Sequence, residues 1–240
     1  MQAEIQIDIY GIANQVKIAG TIVMRESRAG RRSLLNCPDA SFYARSTELV
    51  ARDLLGKILV RIIHNTSGNV ERISGIIIET EAYGFKNDAA SHAYGGLTSR
   101  NAAMFGQVGR AYIYFTYGSQ YCVNVSARSN ELDAGAVLIR ALQPLEGIEI
   151  MKSFRKNDNH LSLTSGPGKL SQALSITKLL NGENMTNPES KLHIENGFNP
   201  LAIVTTKRIG INRDLDKKWR FVIADTTKEG HLNKYASRKR

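Results

Sequence analysis

The chain has little of what builds metal centres, disulfide frameworks or membrane spans. Its two cysteines, Cys37 and Cys122, lie far apart in 240 residues. They form no CxxC or Cys/His cluster, so neither a zinc site nor a disulfide framework is expected. The five histidines, His64, His92, His160, His193 and His231, are equally dispersed, and no metal or other cofactor is expected. No apolar run approaches the roughly 18–20 residues of a membrane span, and the first residues lack the charged, apolar, small-residue order of a signal peptide. The chain is therefore expected to stay where it is made and not to be secreted. That means cytoplasm or nucleoid in a prokaryote, the favoured setting, and the nucleus in a eukaryote. Repeats and low-complexity tracts are absent. A Walker A loop is absent too, because "SGPGKL" has Leu163 where the first glycine would stand and Leu170 after Lys169.

What the chain does have is positive charge. Its 32 Lys and Arg exceed 22 Asp and Glu, for a net +10 and a pI near 9.7, which favours a polyanionic partner. Nucleic acid leads, ahead of an anionic membrane surface, and no membrane association is expected. Basic blocks at 25–32 and 235–240 suit solvated tails adding non-specific affinity. The length suits one domain with its own core. Residues 1–44 are expected to form a basic, partly structured N-terminal arm, 45–230 the folded domain and 231–240 a basic tail.

Residues 4–9 alternate as a strand would. Residues 46–56 predict a helix, with Ser46 as N-cap, Leu49, Val50 and Leu54 as the apolar stripe and Gly56 just past its end. Segments 57–63 and 72–83 predict strands joined by a turn at Gly68, followed by a loop over 84–110 containing five glycines. "AYIYFTYGSQYCVNVS" (111–126) reads as a hairpin turning at Gly118, with Tyr117 at its tip and five aromatics in its first eleven positions. A strand over 136–142 precedes a helix from Leu145 to Arg155 with Leu145, Ile148, Met151 and Phe154 on one face. Residues 164–174 read as a glycine-rich loop opening a short helix, and 191–196, 202–206 and 219–225 as strands. Hairpins outnumber βαβ units, so the expected class is α+β: a single domain with a mainly antiparallel curved sheet, flanking helices and a protruding hairpin.

Several residues could carry chemistry. Strand alternation sends Glu79, Glu81 and Tyr83 to one side, where a carboxylate beside a flexible loop is placed as a general base would be. A strand-closing Glu is more commonly solvated or ion-paired. Arg140 interrupts a strand otherwise fit for burial, and a buried guanidinium needs an anion, either a carboxylate or a phosphate. Asn124 shares a strand face with Cys122 and Ser126, and either hydrogen-bonds a backbone or reads a ligand. His92 alone reads as a surface or packing histidine. The start of the helix at Gly168 and Lys169 suits one DNA phosphate, with a plain tight turn about equally good.

Together these segments resemble the alkyladenine (3-methyladenine) DNA glycosylase family. The resemblance runs in family order through "ARDLLGKILVR", "IETEAYG", "DAASHAYGG", "RNAAMF", "AYIYFTYGSQYCVNVS", "AVLIRALQPLEG", "SGPGKLSQAL" and "RIGI", covering about residues 45–225. It implies a monomeric, monofunctional, cofactor-free enzyme of base excision repair. Such an enzyme flips an alkylated or deaminated purine of the 3-methyladenine, hypoxanthine and ethenoadenine class out of double-stranded DNA. It then hydrolyses the N-glycosidic bond with water, without lyase activity. On the same resemblance Tyr117 intercalates, Glu81 deprotonates water, and Arg140 holds that water and the nearby phosphate. Tyr83 and His92 sandwich the base, with Tyr114 and Ile211 completing the pocket. Asn124 opposes the 2-amino group of guanine, and Arg100, Gly168 and Lys169 meet the DNA backbone. The chain departs from the pattern between His92 and Arg100, being one residue shorter with Ser99 in place of a proline. Lesion range is therefore the least transferable expectation. Two rival classes remain, a non-catalytic nucleic-acid binding module and a hydrolase of free nucleosides or sugars.

Overall fold

The computed structural model describes residues 37–64, 68–116, 120–157, 159 and 162–224. The expected strand at 4–9, the arm before residue 37, the basic tail and the hairpin tip with Tyr117 lie outside the described residues. The longest strand, β2 (Val70–Tyr83), organises the sheet. Along one edge it pairs antiparallel first with β1 (Ile58–His64) over its outer half, then with β8 (Arg220–Ile223) over residues 79–81. Its other edge carries β5 (Ala136–Glu146). Beyond β5 lie β4 (Gln120–Ser126) and β3 (Ala111–Thr116), with β6 (Leu192–Glu195) on β1 and β7 (Ile203–Thr206) on β8. Every pairing is antiparallel. The class is the expected α+β, with one curved antiparallel sheet and flanking helices.

The described residues form five short α-helices: α1 (Ala40–Tyr43), α2 (Thr47–Asp53), α3 (Ala102–Phe105), α4 (Ile148–Arg155) and α5 (Pro167–Ala173). Ser46 caps α2 as expected, its hydroxyl accepting from Leu49 N at 3.4 Å. The buried stripe differs from the expected one. Leu49 is 52% exposed, whereas Ala51 and Leu55 join Val50 and Leu54 in the core, because the helix lies on the sheet along the row through 50, 51, 54 and 55. Gly56 (φ +81) ends this segment where a side chain would collide with the Phe198 carbonyl.

The expected helix from Leu145 starts three residues later. β5 continues through Pro144, which pairs with Gly75 at a register shift, to Glu146, and a proline fits there because a bulge interrupts the ladder. Gly147 (φ 69) then turns the chain into α4. Of the expected helix face only Met151 is fully buried, while Leu145 and Phe154 are exposed. The main core joins Val50 of α2, Leu54 and Leu55 of the turn after it, Ile77 of β2, Val137 and Ile139 of β5, Met151 of α4 and Leu170 of α5, and reaches back to Tyr43. Each such side chain stabilises the fold by roughly 1.5–3 kcal/mol relative to exposure.

Candidate active site

The site begins with two register shifts between β2 and β5. Ile77 pairs with Leu142 and Glu79 with Ala141, so Ile78 is extra on β2; Thr80 pairs with Ile139, so Arg140 is extra on β5. Bulges of this kind re-aim a side chain, commonly beside an active site. Here they bring Arg140 between two carboxylates. Its Nε donates to Glu79 Oε1 at 2.7 Å and its Nη1 to Glu81 Oε2 at 3.2 Å. Glu79 Oε1 also accepts from Arg220 Nε at 2.6 Å, and Arg220 Nη1 donates to Thr206 Oγ1. The partner demanded by a guanidinium in this strand is thus a pair of carboxylates.

Glu81 is 0% exposed. Its Oε1 accepts from the backbone N–H of Ile209 at 2.7 Å, and its Oε2 also accepts from the Tyr83 hydroxyl at 2.8 Å. Burial pushes its carboxyl above the ordinary value of 4.5, against the lowering pull of Arg140, Ile209 and Tyr83. Burial works against the charged form of Arg140 as well, but Glu81 and Glu79 outweigh it and hold the guanidinium firmly protonated.

Beside this cluster opens a cavity of about 170 Å³ lined by Tyr83, His92, Tyr112, Tyr114, Asn124 and Ile211 among others. Its volume compares with the roughly 150 Å³ that admits one benzene ring. His92 meets Tyr114 edge to face, with ring centroids 4.6 Å apart, and its Nδ1 pairs with the Tyr112 hydroxyl at 2.9 Å. Partial burial of the ring, then the charge of Arg100, hold His92 below its ordinary value, so it presents a neutral ring at neutral pH. Asn124 is buried and donates from Nδ2 to the Tyr112 carbonyl at 2.9 Å, which fixes its orientation towards the cavity.

Seven of the expected site residues therefore converge: Glu81, Arg140, Tyr83, His92, Asn124, Tyr114 and Ile211. Arg100 stands at the edge, its guanidinium 5.5 Å from the Tyr114 ring centroid. Gly168 and Lys169 do not line this cavity. Both lie on α5, with Lys169 Nζ 3.5 Å from Ser165 Oγ. Gly168 faces a separate cavity with Gln120 and Tyr121, and a side chain there would overlap the Gln120 amide. Several site residues were not anticipated. Tyr112 lay in the quoted hairpin, and only its neighbours were singled out. In the sequence Glu79 reads only as a neighbour of Glu81 on one strand side, and Asp88 and Arg208, which open the segments "DAASHAYGG" and "RIGI", carry no assigned role, nor does Arg220.

Chemically, a sealed carboxylate and guanidinium behind a slot of aromatic rings suit a hydrolase that accepts a flat heterocycle. A family model described as Methylpurine-DNA glycosylase (MPG) matches residues 41–227. Relatives provisionally named 3-methyladenine DNA glycosylase agree. One from Carboxydothermus hydrogenoformans is 46% identical over 201 residues, covering 82% of this chain and 97% of its own. One from Rhodopseudomonas palustris is 47% identical over 180 residues, covering 75% and 83%. One from Chlorobaculum tepidum is 45% identical over 185 residues, covering 77% and 86%. The chain belongs to the methylpurine-DNA glycosylase family. It is a DNA repair enzyme that hydrolyses N-glycosyl bonds in DNA. No helix among the described residues is long and apolar enough to cross a membrane.

Proposed function

We propose that the enzyme, acting as a monomer, flips alkylated and deaminated purines of the 3-methyladenine, hypoxanthine and ethenoadenine class out of duplex DNA. It hydrolyses their glycosidic bond with water and leaves an abasic site. The observation that carries this reading is the Tyr83 side chain: its ring lines the aromatic cavity while its hydroxyl touches Glu81 Oε2 at 2.8 Å. One residue thus joins the place for a base to the group that acts on water.

The extruded purine stacks between Tyr83 and His92, whose electron-rich, uncharged rings favour electron-poor bases. Tyr114 and Ile211 close the slot, and Asn124 opposes a 2-amino substituent. Tyr117 fills the gap left in the duplex, while Arg100 and Lys169 with Gly168 meet the backbone. As the glycosidic bond stretches, positive charge grows on the sugar, and ionised Glu81 removes a proton from the attacking water. Arg140 favours the ionised form of Glu81 against the effect of burial and helps to hold the same water. No lysine nucleophile is required, and strand cleavage is not expected.

Base release from duplexes carrying hypoxanthine, ethenoadenine or a methylated purine, read by alkaline cleavage at the abasic site, tests the proposal. The intact chain should release base from duplex far faster than from free nucleoside. Glu81→Gln should bind the same duplexes and release roughly 10²–10⁴ times more slowly. Equal rates on free nucleoside would favour a nucleoside hydrolase, and an unaffected Glu81→Gln protein would leave only a binding role for this cavity.

A further inference from the structure

We infer that Arg208, with Asp88 as its partner, positions the site: it backs the Tyr83 ring and holds the Ile209 N–H against Glu81. The two side chains are sealed from solvent, at 0% exposure each. Arg208 Nη1 donates to Asp88 Oδ2 and Nη2 to Asp88 Oδ1, both at 2.7 Å, and Nη1 also donates to the Ala82 carbonyl at 3.0 Å. Asp88 in turn accepts from Gly84 N at 2.9 Å and Ala90 N at 3.3 Å. The guanidinium carbon sits 4.7 Å from the Tyr83 ring centroid and 5.2 Å from the Trp219 ring centroid.

These contacts tie three separate segments at one point. The first is the end of β2, which carries Glu81 and Tyr83. The second is the loop after it, which carries Ala90 and His92 on the cavity wall. The third is the segment that follows β7, where Ile209 donates to Glu81 and Ile211 lines the cavity. A buried ion pair is a weak device for stability alone, since apolar side chains of similar volume often do as well. What directional, bidentate bonds add is register, and each segment joined here supplies a group that the base or the carboxylate must meet.

The inference rests on the proposed role of Glu81, and its test separates the two. Arg208→Gln, Arg208→Lys and Asp88→Asn are made in the full chain. Each is assayed for single-turnover base release, its dependence on enzyme concentration, its pH profile and its thermal midpoint. If the pair positions the site, Arg208→Gln lowers the maximal rate roughly ten- to a hundredfold, the scale of about 1 Å of misplacement. Its acidic limb also moves to higher pH, because Glu81 loses a donor that favours its ionised form. Arg208→Lys recovers part of the rate. Asp88→Asn shifts rate and limb in the same direction by less, and carries the test should Arg208→Gln fail to fold. Folded variants with an unchanged maximal rate and pH profile, and only a lower thermal midpoint, would overturn the inference. Failure of Glu81→Gln to slow release would instead remove the reading beneath it.

Discussion

Glu81 is held by a guanidinium, a phenol and a backbone N–H while fully shut from solvent, and the balance tilts towards the protonated form. Its folded-state value is raised, so its stabilising contribution is complete below the ordinary value of 4.5 and is lost as pH rises through the raised one. In the proposed mechanism catalysis runs the other way, since only the carboxylate accepts a proton. The rate of base release is therefore expected to rise with pH along a limb whose midpoint lies above 4.5. Glu81→Gln should gain stability relative to the intact chain over the same interval, measured by urea denaturation at a series of pH values. Removing Arg140 has a larger effect. Arg140→Gln leaves Glu79 and Glu81 both buried with one fewer cation, and breaking such a pair costs about 3–5 kcal/mol, readable as a drop in the urea midpoint. At this scale the family resemblance named Glu81, Tyr83, His92 and Asn124 as candidates because each sits in a short, quotable motif. Asp88 and Arg208 stand in quoted segments too, but their pairing spans 120 positions and carries no spacing signal.

Among the elements, strand order and most boundaries follow from alternation and turn chemistry, and the exceptions have physical causes. α2 and the turn after it bury Ala51 and Leu55 rather than Leu49, because the packing row is chosen by the sheet beneath and not by the helix's own pattern. β5 runs on past the expected start of α4 because bulges let its proline sit in the ladder. Two other shifts, between Ile77 and Glu79 and between Glu79 and Thr80, aim Arg140 at the two carboxylates, and no glycine or proline marks them in the sequence. At Gly56 the chain needs both a left-handed backbone and the room beside the Phe198 carbonyl. Gly56→Ala is expected to destabilise the fold by more than about 1 kcal/mol, with little effect on the rate of the fraction that stays folded. A loss of rate without loss of stability would contradict the placement of α2 as scaffold.

For the molecule as a whole, the +10 charge sets how the enzyme meets its DNA. Affinity for any duplex should fall steeply with salt, with a slope near 0.9 per phosphate neutralised, whereas single-turnover release from bound complex should hardly change. At the far end of the sheet, burial pushes the Glu195 carboxyl up, but hydrogen bonds from His193 and Arg72, together with their charges, bring it down to about 2. That lowered value contributes stability present above 4.5 and lost as pH falls towards about 2, so acid unfolding should begin in that window, and Glu195→Gln should flatten it.

The most decisive experiment is single-turnover base release from a hypoxanthine-containing duplex at saturating enzyme, intact and Glu81→Gln, with duplex affinity measured in parallel. Unchanged affinity with release slowed by roughly 10²–10⁴ is the predicted result. Release at the intact rate would contradict the assignment of water activation to Glu81.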